Sequence, residues 1–142
     1  LGQYGAHKVL NLEQPSLGEF NAELVADALT QAARATGSST VIVSSSANSR
    51  YMAPLLAVSL EAGYVPNVVA LPQSYTPLTV AHNVFTNKAT AFTSLQSSIS
   101  ILGLSKNAYG VHQYDTNAAI TKQEVTLTSS SVEVTSLDKA SN

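Results

Sequence analysis

The residues best suited to chemistry lie in Ser44-Ser-Ser-Ala-Asn-Ser-Arg50, a hydroxyl-rich turn between a β-branched run and an apolar segment. At such a junction in nucleotide-binding α/β proteins, unpaired backbone N–H groups at a helix start attract phosphate. Ser46, Ser49 and Arg50 are therefore the candidate cofactor-binding residues, two hydroxyls that can donate and a guanidinium that carries charge. The turn lacks both a G-x-G-x-x-G run and a Gly-Lys-Ser/Thr triplet, so a backbone cradle for phosphate is not encoded there. The same hydroxyls can instead cap the helix that follows and satisfy turn amides. Arg50, a cation where the helix dipole is positive, predicts an acidic or carbonyl partner elsewhere.

Other chemistries find less support. His7, His82 and His112 are far apart and have no partner ligand at metal spacing. The chain has no cysteine, which excludes thiol catalysis, a disulfide scaffold and thiolate metal sites. No G-x-S-x-G elbow marks a serine nucleophile. The acids are scattered; Glu23 and Asp27 share a helix face, a spacing expected of a solvated surface rather than of a catalytic pair. No residue set predicts catalysis.

The elements that must hold the turn follow from pattern. Lys8 to Leu12 reads as a strand, and Pro15 and Gly18 break the chain after it. Leu24, Val25, Ala28, Leu29 and Ala32 recur at helical spacing between Asn21, a plausible N-cap, and the stop at Thr36-Gly37. Thr40 to Ser44 is a continuous β-branched run, expected of a parallel strand buried on both faces. A second helix is expected from about Arg50 to Glu61, then a strand from Tyr64 to Leu71. Beyond Pro72 and Pro77, three short strands are expected at Thr79 to Phe85, Ala89 to Leu95 and Ser98 to Leu104, extending the sheet with antiparallel edges. Val125, Leu127, Val132 and Val134 alternate around Ser129 to Ser131, predicting a last strand, and Asp138 to Asn142 reads as a linker. The fold class is α/β: a mainly parallel, Rossmann-like sheet with helices on both faces and antiparallel edge strands in the second half.

Composition bounds the function. A length of 142 residues with 44% hydrophobic content suits one domain with a real core. Charged residues are 11% and Ser and Thr fill 32 positions, so the polar surface is hydroxyl rather than ionic and suits burial against a partner. A net charge of −2 supplies no basic field for nucleic acid. No apolar run approaches the roughly 20 residues of a membrane span, so a soluble protein without membrane insertion is expected. The opening Leu1, in what reads as the tail of a helix, leads to the expectation of residues before it.

Several segments carry a resemblance. Leu1-Gly-Gln-Tyr-Gly-Ala-His-Lys-Val9, Ser49-Arg-Tyr-Met-Ala-Pro-Leu-Leu-Ala57, Ala62-Gly63 leading into Leu71, Val84-Phe-Thr-Asn-Lys-Ala89 and Leu104-Ser-Lys-Asn-Ala-Tyr109 follow one another in a known order. Together with Val132-Glu-Val-Thr-Ser136, they make the chain similar to the N-terminal domain of the electron transfer flavoprotein α subunit. It departs from the common pattern at Ser49, where glycine is usual, Tyr51, where an acid is usual, Asn67, where aspartate is common, and Ser105-Lys106, where Arg-Pro is common.

The resemblance implies an adenine-nucleotide α-hydrolase-like fold, with a further strand and helix before the segment matching Leu1. It divides the chain into an α/β domain at 1–128 and a terminal strand and linker at 129–142 leading toward a flavin domain. It implies a heterodimer with the β subunit, which holds AMP, and FAD held mainly by the C-terminal domain of α, with no cofactor expected on this chain itself. Electrons would come from acyl-CoA dehydrogenases of fatty-acid β-oxidation, or related donors, and leave toward a quinone-linked or other redox acceptor. The place implied is the cytoplasm of a bacterium or the matrix of a mitochondrion. The residues alone also allow a stand-alone nucleotide- or small-ligand-binding α/β module built on the Ser44 to Arg50 turn.

Overall fold

The computed structural model describes residues 1–138. In chain order the elements are β1 (Lys8–Leu12), α1 (Ala22–Thr36), β2 (Thr40–Ser44), α2 (Ala47–Leu60), β3 (Gly63–Val68), β4 (Ser74–Tyr75), β5 (Leu78–Val84), β6 (Ala89–Leu95), β7 (Ser100–Leu104) and β8 (Ala119–Gln123). Two short 3₁₀ turns, Gly2–Tyr4 and Pro15–Leu17, flank β1.

Local chemistry sets the ends of α1. The Asn21 side chain accepts from the amides of Glu23 and Leu24 at 3.0 and 3.2 Å, and Glu23 adds negative charge to the first turn. At the other end Gly37 takes φ 62, a left-handed conformation open to glycine, and its N–H reaches back to Arg34. Both limits agree with the sequence reading. The second helix starts earlier than expected, at Ala47, because Ser46 rather than a later residue is its cap.

Six strands form one sheet in the order β2-β7-β3-β5-β4, with β6 on the other edge of β5. The strands β2, β7 and β3 run parallel, in the register Val41↔Ile101 and Tyr64↔Ile101, and β4, β5 and β6 add the antiparallel part. The class is therefore α/β, as expected, with two of its details changed. The third expected short strand is not an antiparallel edge: β7 is the central parallel strand, since the connection through α2 carries β3 past it. The helices do not occupy both faces among the described residues. Ala26 of α1 and Met52, Leu56 and Leu60 of α2 join Val41, Val43, Tyr64 and Ile101 in one core on one face. A second core of Val65, Val68, Val80 and Leu102 lies on the other, and no helix covers it. Nor is β2 buried on both faces: Val41 and Val43 face the helices, but Ile42 is 64% exposed.

The remaining two strands, β1 and β8, pair in parallel as a separate sheet, from Lys8↔Ala119 to Leu12↔Gln123. The sequence reading did not foresee β8. It placed a strand later, around Val132 and Val134, where the described chain has none. That segment is held otherwise. Val125 is buried, 3% exposed, its carbonyl accepting from Gln14 Nε2 at 2.7 Å, and the chain then runs antiparallel to α1. Thr126 and Gln31 exchange backbone-to-amide bonds at 2.9 and 3.1 Å. Thr128 donates its N–H and hydroxyl to Asp27 at 2.9 and 3.0 Å. Ser130 and Ser131 bind Glu23, and Asn21 Nδ2 donates to the Val132 carbonyl. Of the expected linker, residues 139–142 lie outside the described residues.

Candidate functional site

The turn after β2 sits where the carboxyl ends of β2, β7 and β3 meet, the end at which open parallel sheets bind ligands. Its sequence-predicted residues divide between two tasks. Ser46 is the N-cap of α2: its Oγ accepts from the Ser49 amide at 3.2 Å and lies 3.0 Å from Ser49 Oγ. Ser49 is only 7% exposed, so its hydroxyl is committed to that pair. Two backbone donors of the turn are paired as well: Ser45 N–H donates to the Leu104 carbonyl at 2.8 Å and Arg50 N–H to the Ser46 carbonyl at 3.2 Å. Ser46 and Ser49 thus cap α2, while the N–H groups of Ser46, Ala47 and Asn48 have no partner among the described residues.

Arg50 stands apart from them. It is exposed, and its side chain has neither the acidic nor the carbonyl partner expected of it among the described residues, where the only ion pair is Lys122–Glu13 at 2.7 Å. Its charge acts on Tyr64 instead: burial pushes the phenol's pKa up, and Arg50 pulls it partway back. Close by, β7 passes beneath the turn at Gly103, where an added Cβ would stand 3.0 Å from Ser45 Oγ and 3.2 Å from the Pro66 backbone. A side chain there would require the turn and the Pro66 backbone to give by a few tenths of an ångström.

A cavity of about 410 Å³ opens beside the turn, lined by Ser44, Ser45, Ser46, Ser105 and Lys106 over Ile42 and Leu104. Ser46 thus reaches a cavity, but Ser49 and Arg50 do not line it. Ser45 lies in the expected turn and Asn67 and Lys106 are among the departures from the family pattern, but their meeting was not expected from the sequence. Ser45 Oγ accepts from the Asn67 N–H at 3.2 Å, across a break in register between Val65 and Val68. Nothing in the spacing of Ser45, Asn67 and Lys106 announces their meeting, which depends on β7 running between β2 and β3. The histidines stay separate: His82 Nε2 lies 2.9 Å from Thr93 Oγ1, and no group of His, Asp or Glu among the described residues could hold a metal.

The model of the electron transfer flavoprotein domain matches residues 1–132. The chain belongs to the electron transfer flavoprotein family. Comparison with curated proteins gives no match. The span matched by the electron transfer flavoprotein model takes in all eight strands, both helices and the segment that binds α1 as far as Val132. The whole carboxyl edge, including the turn at Ser46, is thus part of the flavoprotein domain rather than an addition to it. No described helix is long and apolar enough to cross a membrane.

Proposed function

We propose that this chain is the N-terminal domain of an electron transfer flavoprotein α subunit, a scaffold that carries no reaction itself and offers a surface to the β subunit. The observation that carries this reading is the open face of the six-stranded sheet. A trough of about 390 Å³ runs over it, lined by Ile42, Leu71, Tyr75, Leu78, Leu102 and Tyr109. Contiguous apolar surface rimmed by hydroxyl residues suits burial against another protein. The ordered resemblance of the segments from Leu1 to Tyr109 supports the α assignment within the family.

In this reading FAD lies outside the described residues, on a domain that follows the segment 129–142, while 1–128 forms the scaffold. The Ser46–Ser49 cap supports that assignment, since those two hydroxyls then serve the fold rather than a flavin. The assembled heterodimer would take electrons from dehydrogenases such as those acting on acyl-CoA and pass them to a quinone-linked acceptor, in a bacterial cytoplasm or a mitochondrial matrix. The test is co-expression of the full-length protein with a β subunit, followed by size-exclusion chromatography with visible absorption. Co-elution with flavin colour is the expected result, and Ile42→Glu should separate the subunits. Full-length protein that elutes alone and colourless, whatever the β subunit supplied, would sink the proposal.

A further inference from the structure

A second cavity opens at the same edge of the sheet, on the side away from Ser46. It holds about 340 Å³ and is lined by Ser45, Asn67, Asn83, Asn87, Lys106 and Asn107, with Ser105 at its floor. Four side-chain amides from three segments of the chain line it together with one lysine. No carboxylate lines it. Among the described residues none of the four amides donates a hydrogen bond to the protein, and only the Asn83 Oδ1 is engaged, weakly, by the Thr90 hydroxyl at 3.4 Å.

The walls are fixed. Ser45 N–H is tied to the Leu104 carbonyl at 2.8 Å, Ser105 N–H to the Val68 carbonyl at 2.9 Å, and Asn67 N–H to Ser45 Oγ at 3.2 Å. Three strand ends are thus bound to one another beyond their ladders, which fixes the backbone that carries Ser45, Asn67 and Ser105. Asn67, Asn87 and Asn107 each take positive φ, at 55, 64 and 60. Glycine would satisfy those backbones at no steric strain, but it would present no amide to the cavity. Asparagine meets both requirements.

We propose that this cavity binds a small oxyanion of carboxylate or phosphate chemistry, with Lys106 supplying the charge and the asparagine amides the directed donors. A guest with several acceptor oxygens and about one negative charge matches donors that are mostly neutral around a single cation. The site is independent of the assignment to an α subunit, and it differs from the capped turn at Ser46 and Ser49.

The test is titration of the ¹⁵N-labelled chain with sodium phosphate and, separately, with sodium acetate, at ionic strength held constant with sodium chloride. Saturable shifts of the amide signals of Asn67, Asn83, Asn87 and Asn107 are expected with one or both oxyanions. Saturation by phosphate alone would assign the site to phosphoryl groups, and by acetate to carboxylates. Lys106→Ala should weaken binding about tenfold or more, and Lys106→Arg should retain most of it. Asn107→Gly keeps the backbone conformation while deleting the amide, so weaker binding with an otherwise native spectrum separates recognition from folding. Shifts that never saturate, that chloride reproduces, or that survive Lys106→Ala and Asn107→Gly unchanged would overturn the proposal.

Discussion

The Ser46 hydroxyl satisfies the Ser49 amide that would otherwise be an orphan at the start of α2. Ser46→Ala should therefore destabilise the chain by about 1 kcal/mol, and Ser44→Ala, which removes no cap, by less than about 0.5 kcal/mol; urea midpoints compare the two. Gly103→Ala is expected to lower stability further, because the added methyl meets the Ser45 hydroxyl and the Pro66 backbone rather than open space. At this scale the sequence was legible wherever a residue acts on its neighbours. Asn21 and Gly37 announced the ends of α1, and the hydroxyls around Ser46 announced a cap. It was illegible where partners are distant. Arg50 lies near the helix start as expected, but its exposed side chain meets neither the acid nor the carbonyl expected of it among the described residues.

Among the elements, the attachment of residues 126–132 to α1 follows from two repeats that nearly coincide. Four helical residues advance about 6 Å, and two residues of extended chain advance about 6.6 Å. Gln31, Asp27 and Glu23 on the helix accordingly meet Thr126, Thr128 and Ser130 in order. The spacing of Glu23 and Asp27 was visible in the sequence, but it suggested a solvated face, because hydroxyl partners leave no hydrophobic pattern to read. The contacts give a sign for pH. Hydrogen bonds from the Ser131 and Ser130 hydroxyls hold the Glu23 carboxyl below its ordinary pKa, and the Thr128 amide with the Gln31 side chain does the same for Asp27. A lowered folded pKa contributes stability at pH above the unfolded value and loses it as pH falls through the folded one. Exchange protection at Thr128 and Ser131, taken relative to the intrinsic rate at each pH, should therefore fall in acid below the usual carboxylate range, with Glu23→Gln producing part of that effect at neutral pH. Unchanged protection across that range would contradict the assignment. In α2, Leu56 is fully buried between the helices and the sheet, and Leu56→Ala should cost about 2–5 kcal/mol by thermal unfolding.

For the molecule as a whole, the alternation of strands and helices fixed the class, but strand order was beyond reach. The run Ser100 to Leu104 looks in sequence like its antiparallel neighbours β5 and β6, and only the route of the chain puts it at the centre. The same route brings both helices to one face and leaves Ile42 and Tyr75 exposed on the other. A dye that binds apolar surface should fluoresce with the chain alone, and Ile42→Ser should reduce that signal without lowering the unfolding midpoint. The segment along α1 has a consequence of a different kind. It runs from Gln31 back to Asn21, so a pull on the chain beyond Val132 that lifts it from the helix meets its bonds one after another, Ser131 and Ser130 before Thr128, and Thr128 before Thr126. A pull directed away from α1 would peel the segment, whereas a pull along it would load the bonds together. In the peeling direction its bonds yield singly, so motion of anything joined past Asp138 that pulled away from α1 would lengthen this tether before it loaded the sheet.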